Sequence, residues 1–139
     1  MERKIVAVSG GFDPIHVGHI RMIRGAAELG NVIVIANSDD WLLRKKGYIF
    51  MNWRERAEIL QNIKGVVAVY EAKDEDDSVC ASLNALKPDI FANGGDRKEG
   101  NIPEYRLCED LGIEMKFGIG GTDKPQSSSW LVEKVRKTQ

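Results

Sequence analysis

The chain has 139 residues, of which 42% are hydrophobic and 29% charged, with a formal net charge of −1. That length and apolar content predict a single domain over residues 1–139 with a real core, and the near-neutral charge argues against a nucleic-acid binder working through a broad basic surface. No apolar run reaches membrane length, and Met1-Glu2-Arg3-Lys4 leads straight into a β-rich run rather than a signal peptide, so a cytoplasmic protein with no membrane partner is expected.

Lys4-Ile5-Val6-Ala7-Val8-Ser9 predicts the first strand, near residues 4–9. It runs into Gly10-Gly11-Phe12-Asp13-Pro14-Ile15-His16-Val17-Gly18-His19, which contains both histidines of the chain. After it, Ile20, Ile23, Ala26, Ala27 and Leu29 recur at helical spacing and predict a helix near 17–29. The stretch therefore bridges the carboxyl end of a strand and the amino end of a helix, the usual ligand crevice of open α/β sheets. Histidine suits phosphate near neutral pH because it passes between neutral and charged forms there. His16 and His19 at a helix start would share one face of its first turn. The spare backbone N–H groups and the positive dipole end point the same way. Gly10 and Gly11 let the backbone turn tightly and approach a ligand, Pro14 fixes part of the loop, and Gly18 leaves room above the helix start.

A second strand is predicted near 31–36. The loop after it, Asp39-Asp40-Trp41-Leu42-Leu43-Arg44-Lys45-Lys46-Gly47, carries a basic cluster that is either a solvated surface or an anion site. A helix near 53–62 opens with Asn52 as N-cap. Within it Arg56 is either half of a surface ion pair with a nearby Glu or a cation for a ligand. A third strand follows near 66–70. Asp74-Glu75-Asp76-Asp77 is expected to favour the positive end of the next helix, near 78–87. The fourth strand, near 89–92, ends in Asn93-Gly94-Gly95-Asp96-Arg97, again at a carboxyl end. There Asp96 can accept from an exocyclic amine or a hydroxyl, and Arg97 can grip a phosphate in bidentate fashion; a plain turn is the alternative. A helix near 102–111 and a strand near 113–117 lead to Gly118-Ile119-Gly120-Gly121, read as a mobile loop. Gln126-Ser127-Ser128-Ser129 opens the last helix, near 127–137. Three hydroxyls over free N–H groups make a phosphate seat, where ordinary capping would need one. Cys80 and Cys108 fall in helical patterns without metal-type spacing and read as small buried hydrophobes.

Strands alternating with helices imply parallel pairing and a doubly wound sheet. No G-x-G-x-x-G follows the first strand and no G-K-[ST] occurs, which sets aside a nicotinamide-dependent oxidoreductase and a Walker-type nucleotidase. The run Gly11-Phe12-Asp13-Pro14-Ile15-His16-Val17-Gly18-His19 resembles the His-x-Gly-His signature of the cytidylyltransferase-like nucleotidyltransferases. This resemblance implies an α/β, single-domain, Rossmann-like, doubly wound sheet of five parallel strands with helices on both faces. It also implies roles. His16 and His19 would donate to phosphate oxygens. Lys46, with Lys45 as second choice, matches a loop lysine that bridges donor and acceptor phosphates. Arg56 resembles an arginine that holds the acceptor. Gly10, Gly11, Phe12, Asp13, Gly18, Gly94, Asp96, Arg97, Gln126, Ser127, Ser128 and Ser129 would line the nucleotide. Gln126 departs from the apolar residue that relatives place before the serines.

The reaction implied is transfer of a nucleoside monophosphate from a triphosphate, carried with Mg²⁺, to a small phosphorylated or phosphonylated acceptor, with release of pyrophosphate. CTP is the first expectation because the short chain resembles the glycerol-phosphate cytidylyltransferases. ATP is the alternative, since Gly94-Gly95-Asp96 is equally at home in the ADP-heptose and FAD-synthase branches. A non-catalytic nucleotide-binding module is the other class, and a homodimer is expected by analogy alone.

Overall fold

The computed structural model describes residues 3–94, 102–121 and 128–137. In chain order the elements are β1 (Ile5–Gly10), α1 (Val17–Ala27), β2 (Asn31–Ala36), α2 (Asp39–Lys46), α3 (Trp53–Gln61), β3 (Val66–Glu71), α4 (Cys80–Leu86), β4 (Ile90–Gly94), α5 (Glu104–Leu111), β5 (Glu114–Ile119) and α6 (Ser128–Lys137). The strands form one sheet in the order β3-β2-β1-β4-β5, with every neighbouring pair parallel. This is the α/β, Rossmann-like architecture that the strand–helix alternation predicts.

Alternation along each strand builds the two layers. Val6, Val8, Val32 and Val34 pack on one face with Ile23 and Ala26 of α1 and Leu60 of α3. Ala7, Ile33, Ile35 and Phe91 face the other way, onto Leu83 of α4 and Cys108 of α5. Each fully buried Val, Leu or Ile contributes roughly 1.5–3 kcal/mol, so the two covered faces are the main favourable term that holds the sheet. Burial also pushes the Cys108 thiol up to about 11, which leaves it the inert small hydrophobe of the sequence reading.

The chain order reverses between β1 and β4, and the pairing there is short. β1 and β2 pair along their whole length, from Ile5↔Asn31 to Gly10↔Ala36. β1 and β4 pair only at Val6↔Ile90 and Ala7↔Phe91. The carboxyl ends of β1 and β4 flank this topological switch point, the place where open α/β sheets hold their ligands.

Three expectations change. Residues 39–46 form a helix rather than a loop. Ser38 Oγ caps it by accepting from Trp41 N, Asp39 and Asp40 lie in its positive first turn, the three basic residues lie in its last turn, and Gly47 ends it with a left-handed φ of 80°. The glycine-rich stretch after β5 is not a free loop: Gly118 and Ile119 belong to β5. Gly120, at φ 84°, lies so close to α1 that a Cβ there would sit 2.8 Å from the Arg21 carbonyl carbon. The acidic run puts no cap bond on the N-cap Val79 of α4. Asp76 bonds near that helix start, accepting from Ser78 N and Ser78 Oγ, while Ser78 Oγ accepts from Cys80 N. Buried Asp74 instead accepts from Asn37 Nδ2, Ser38 N and Ser38 Oγ, and so ties the β3–α4 loop to the start of α2.

Candidate active site

His16 and His19 fasten each other to the start of α1. His16 is the N-cap, and its Nδ1 accepts from Gly18 N at 3.1 Å. His19 is the third residue of the helix, and its Nδ1 accepts from His16 N at 3.1 Å. This is the reciprocal arrangement of a capping box with imidazoles in both positions. The rings stack with centroids 3.8 Å apart and planes 23° from parallel, and Phe12 lies against His19 at 4.7 Å. A neutral imidazole whose Nδ1 accepts carries its proton on Nε2. The geometry therefore fixes both tautomers: each ring is an Nε2–H donor without needing an extra proton.

Burial, then the neighbouring His16, then Lys46 lower the His19 pKa to about 3. The linkage has a definite sign. Below the ordinary histidine value of 6.5 an unfolded chain binds a proton at His19 that the folded chain does not, so acid favours unfolding. The stability contributed by neutral His19 is complete above about pH 6.5 and is lost as pH falls toward about 3. Unfolding free energies at pH 7 and pH 5.5 should therefore differ more in wild type than in His19→Gln, and equal differences would refute the burial of the neutral ring.

Lys46 and Lys45, adjacent in sequence, part in space. Lys46, in the last turn of α2, lies near His19, Asp13 and Arg56; burial and Arg56 depress its pKa, against the pull of Asp13. Lys45 pairs with Asp77 at 3.1 Å on the exposed side, beside an Arg44–Asp77 pair at 3.0 Å. Lys46 is thus the lysine the site can use.

Several motif residues prove to be supports. Phe12 is buried in the core at φ 54° and backs the His19 ring. Asp13 is buried, and its carboxylate accepts from Phe50 N at 2.7 Å and Met51 N at 2.5 Å, which holds the segment between α2 and α3. Gly18 gives its N–H to the cap, and Gly10 gives its carbonyl to Asn37 N. A Cβ on Gly94 would meet Ile119 O and Met22 Sδ at 3.1 Å, so close packing favours glycine there. Neither a ligand role for Phe12 and Asp13 nor one for Gly94 is what these contacts show.

Arg56 requires the largest correction. It is completely buried, and it donates to Met51 O at 2.9 Å, Gly11 O at 2.7 Å, Asn37 O at 2.8 Å and Asp39 Oδ1 at 2.8 Å. With four of its five N–H groups engaged, it is neither a surface ion pair nor an open cation for an acceptor phosphate. It joins the β1–α1 loop, the β2–α2 turn and the approach to α3.

At the far wall, Ser128 Oγ donates to Pro14 O at 2.7 Å, which brings the start of α6 onto the histidine loop. Ser129, one residue on, is exposed. Asp96, Arg97, Gln126 and Ser127 lie outside the described residues. Sequence reading missed Asn37, Ser38, Asp39 and Asp74, the polar frame that holds α2; the signal for the helix, Ser38-Asp39-Asp40 followed by Arg44-Lys45-Lys46-Gly47, was present.

A family model described as Cytidylyltransferase-like matches residues 7–112, from β1 through the histidines and Lys46 to α5. The chain belongs to that family. This cytidylyltransferase-like chain is 33% identical over 139 residues to the bifunctional protein HldE of Desulfatibacillum aliphaticivorans, a match covering 96% of the chain and 27% of that protein. It is 34% identical to HldE of Hahella chejuensis, with 98% of the chain and 28% of the relative covered. The chain thus spans little more than a quarter of the length of these curated relatives. Among solved structures it resembles a lipopolysaccharide core biosynthesis protein from Thermoplasma volcanium, with a TM-score of 0.65 and 25% identity over 82% of this chain and 93% of that one. A protein of unknown function from Archaeoglobus fulgidus shares the fold, at TM-score 0.56 and 14% identity over 92% of this chain and 96% of that one.

Proposed function

We propose that the chain transfers a nucleoside monophosphate from a triphosphate to a small phosphorylated acceptor. An acceptor oxygen attacks the α-phosphorus, the bond to the bridging oxygen of the β-phosphate breaks, and pyrophosphate leaves. The observation that carries this reading is the stacked, mutually capped pair His16 and His19 at the head of α1 with Lys46 beside it. Two fixed Nε2–H donors suit the oxygens on which charge builds, and they need not reorganise as it builds. Lys46 supplies a cation on a long stem, able to touch both substrates as they meet. The start of α6, with Ser128 and Ser129, supplies helix N–H groups and a hydroxyl for the outer phosphates. No side chain acts as nucleophile in this scheme; catalysis is positioning and electrostatics.

Magnesium enters as part of the substrate, on the triphosphate oxygens. Among the described residues no group of three or more His, Cys, Asp and Glu stands together as a metal site, and Asp13 is already committed to two backbone N–H groups.

The likeness to HldE proteins favours an adenylyl donor, in place of the CTP that chain length alone suggests. Gly94-Gly95-Asp96, shared with the ADP-heptose branch, leans the same way. Pyrophosphate release should be measured with ATP, CTP, GTP and UTP, each with Mg²⁺, over a panel of phosphorylated sugars and alcohols. Turnover with ATP and a sugar phosphate is expected. Turnover with CTP alone would reverse the nucleotide assignment. A nucleotide-dependent rise in melting temperature without turnover on any acceptor would leave a binding module.

A further inference from the structure

We propose that Asp39 is a positioning residue for Lys46, acting through buried Arg56. The inference rests on the transferase reading for its kinetic consequence but not for its geometry. Arg56 is held by the Met51, Gly11 and Asn37 carbonyls, so its Nη2 stands at a fixed point relative to the histidine loop. Asp39 Oδ1 takes that Nη2 at 2.8 Å, with the arginine fully buried and the aspartate 37% exposed.

Asp39 is the first residue of α2 and Lys46 the last. Seven residues are close to two full turns, so the two side chains share one face of the helix, roughly 10 Å apart along its axis. Whatever pins Asp39 therefore sets both the rotation and the height at which Lys46 arrives. The groups that face the Lys46 ammonium are Asp13 and His19 from the β1–α1 side and Arg56 from α3. Asp13 secures the other end of the same arrangement, because its carboxylate holds Phe50 N and Met51 N just beyond α2. The helix carrying the lysine is thus fastened at its start by Arg56, through Asp39, and by Asp74, through its N-cap Ser38, and beyond its end by Asp13.

The neighbouring Asp40 offers an internal control. It shares the first turn and its dipole benefit but is exposed. Three variants of the full chain separate position from charge: Asp39→Ala, Asp39→Asn and Asp40→Ala. The first readout is the titration of Lys46, followed by NMR of its side chain. Deleting a nearby carboxylate by electrostatics alone would lower a lysine's pKa. Loosening α2 would instead return the ammonium to water and raise it.

Asp39→Ala is expected to move the Lys46 titration up toward the ordinary lysine range. Asp39→Asn, which keeps an oxygen for Arg56 Nη2, should stay near wild type, as should Asp40→Ala. The second readout is turnover: Asp39→Ala should lose about tenfold in kcat with KM for the triphosphate within about twofold, and Asp39→Asn should recover most of the loss. If alanine prevents folding, Asp39→Ser serves the same comparison.

A downward or absent shift in Asp39→Ala, or equal behaviour of the alanine and asparagine variants, overturns the proposal. The expected titrations together with no pyrophosphate from wild type on any acceptor would reject the transferase reading and leave the positioning role standing.

Discussion

Replacing His19 by alanine should leave the fold intact and reduce turnover by two to three orders of magnitude. The magnitude is that of removing one preorganised donor from a site where charge develops, roughly 3–4 kcal/mol. The substitution also deletes a cap, since His16 N loses its partner on His19 Nδ1; loss of such a cap costs about 1 kcal/mol of stability. The two effects can be separated. Glutamine in the same position of a capping box can accept from the N-cap N–H, but it does not place a donor where Nε2 stood. His19→Gln should therefore recover most of the melting temperature lost by His19→Ala and little of the turnover. Wild-type turnover in either variant would remove the histidine pair from the mechanism. Recovery of both properties by glutamine would mean that the ring acts only as a cap.

Lys46→Met and Lys45→Ala form the second pair, and they should differ by about two orders of magnitude in kcat/KM. Methionine keeps the length and the apolar stem of Lys46 and removes its charge. The half-buried setting makes that charge count for more than it would on the surface. Lys45 faces Asp77, whose carboxyl is held below its usual range by hydrogen bonds from Arg44 first and Lys45 second. That cluster lies on the exposed side of α2, and Lys45→Ala should keep kcat/KM within about twofold of wild type. Equal losses in the two variants would show that the basic cluster acts as a diffuse field rather than through one placed ammonium.

How far the sequence could be read follows from which residues act locally. The strands and most helices were legible because apolar periodicity is set by burial on one or two faces, and burial is local in pattern even when its partners are distant. Asn52 was legible as a cap, and the structure shows it accepting from Glu55 N at 2.9 Å. The histidine pair was legible as a pair for the same reason. Its reciprocal cap was not, because imidazole rarely fills the place of serine and glutamate. Helix α2 was overlooked although its ends were marked, since its interior Trp41-Leu42-Leu43-Arg44 lacks a clean stripe and buries only Leu42.

The misreading of Arg56 has another origin. Its partners are the carbonyls of residues 11, 37 and 51 and the carboxylate of residue 39, brought together only when three loops converge. No spacing rule signals a buried arginine whose acceptors are mostly backbone. Lys45 against Lys46 was likewise a question of helical phase, undecidable while the segment was taken for a loop.

The narrow seam between β1 and β4 has a consequence for how such a protein can change. The imidazoles, the ammonium and their fasteners Asp13, Asp39 and Arg56 are encoded before residue 57, while Asp74, which holds Ser38, comes later. The stretch that resemblance associates with the base, Asp96 and Arg97, follows β4 in the sequence. β1 and β4 pair in register at only two positions, and under the transferase reading the residues that would meet a nucleobase lie on a different segment of the chain from those that would meet the phosphates. Under that reading a change of nucleotide calls for substitutions in one segment and none in the other.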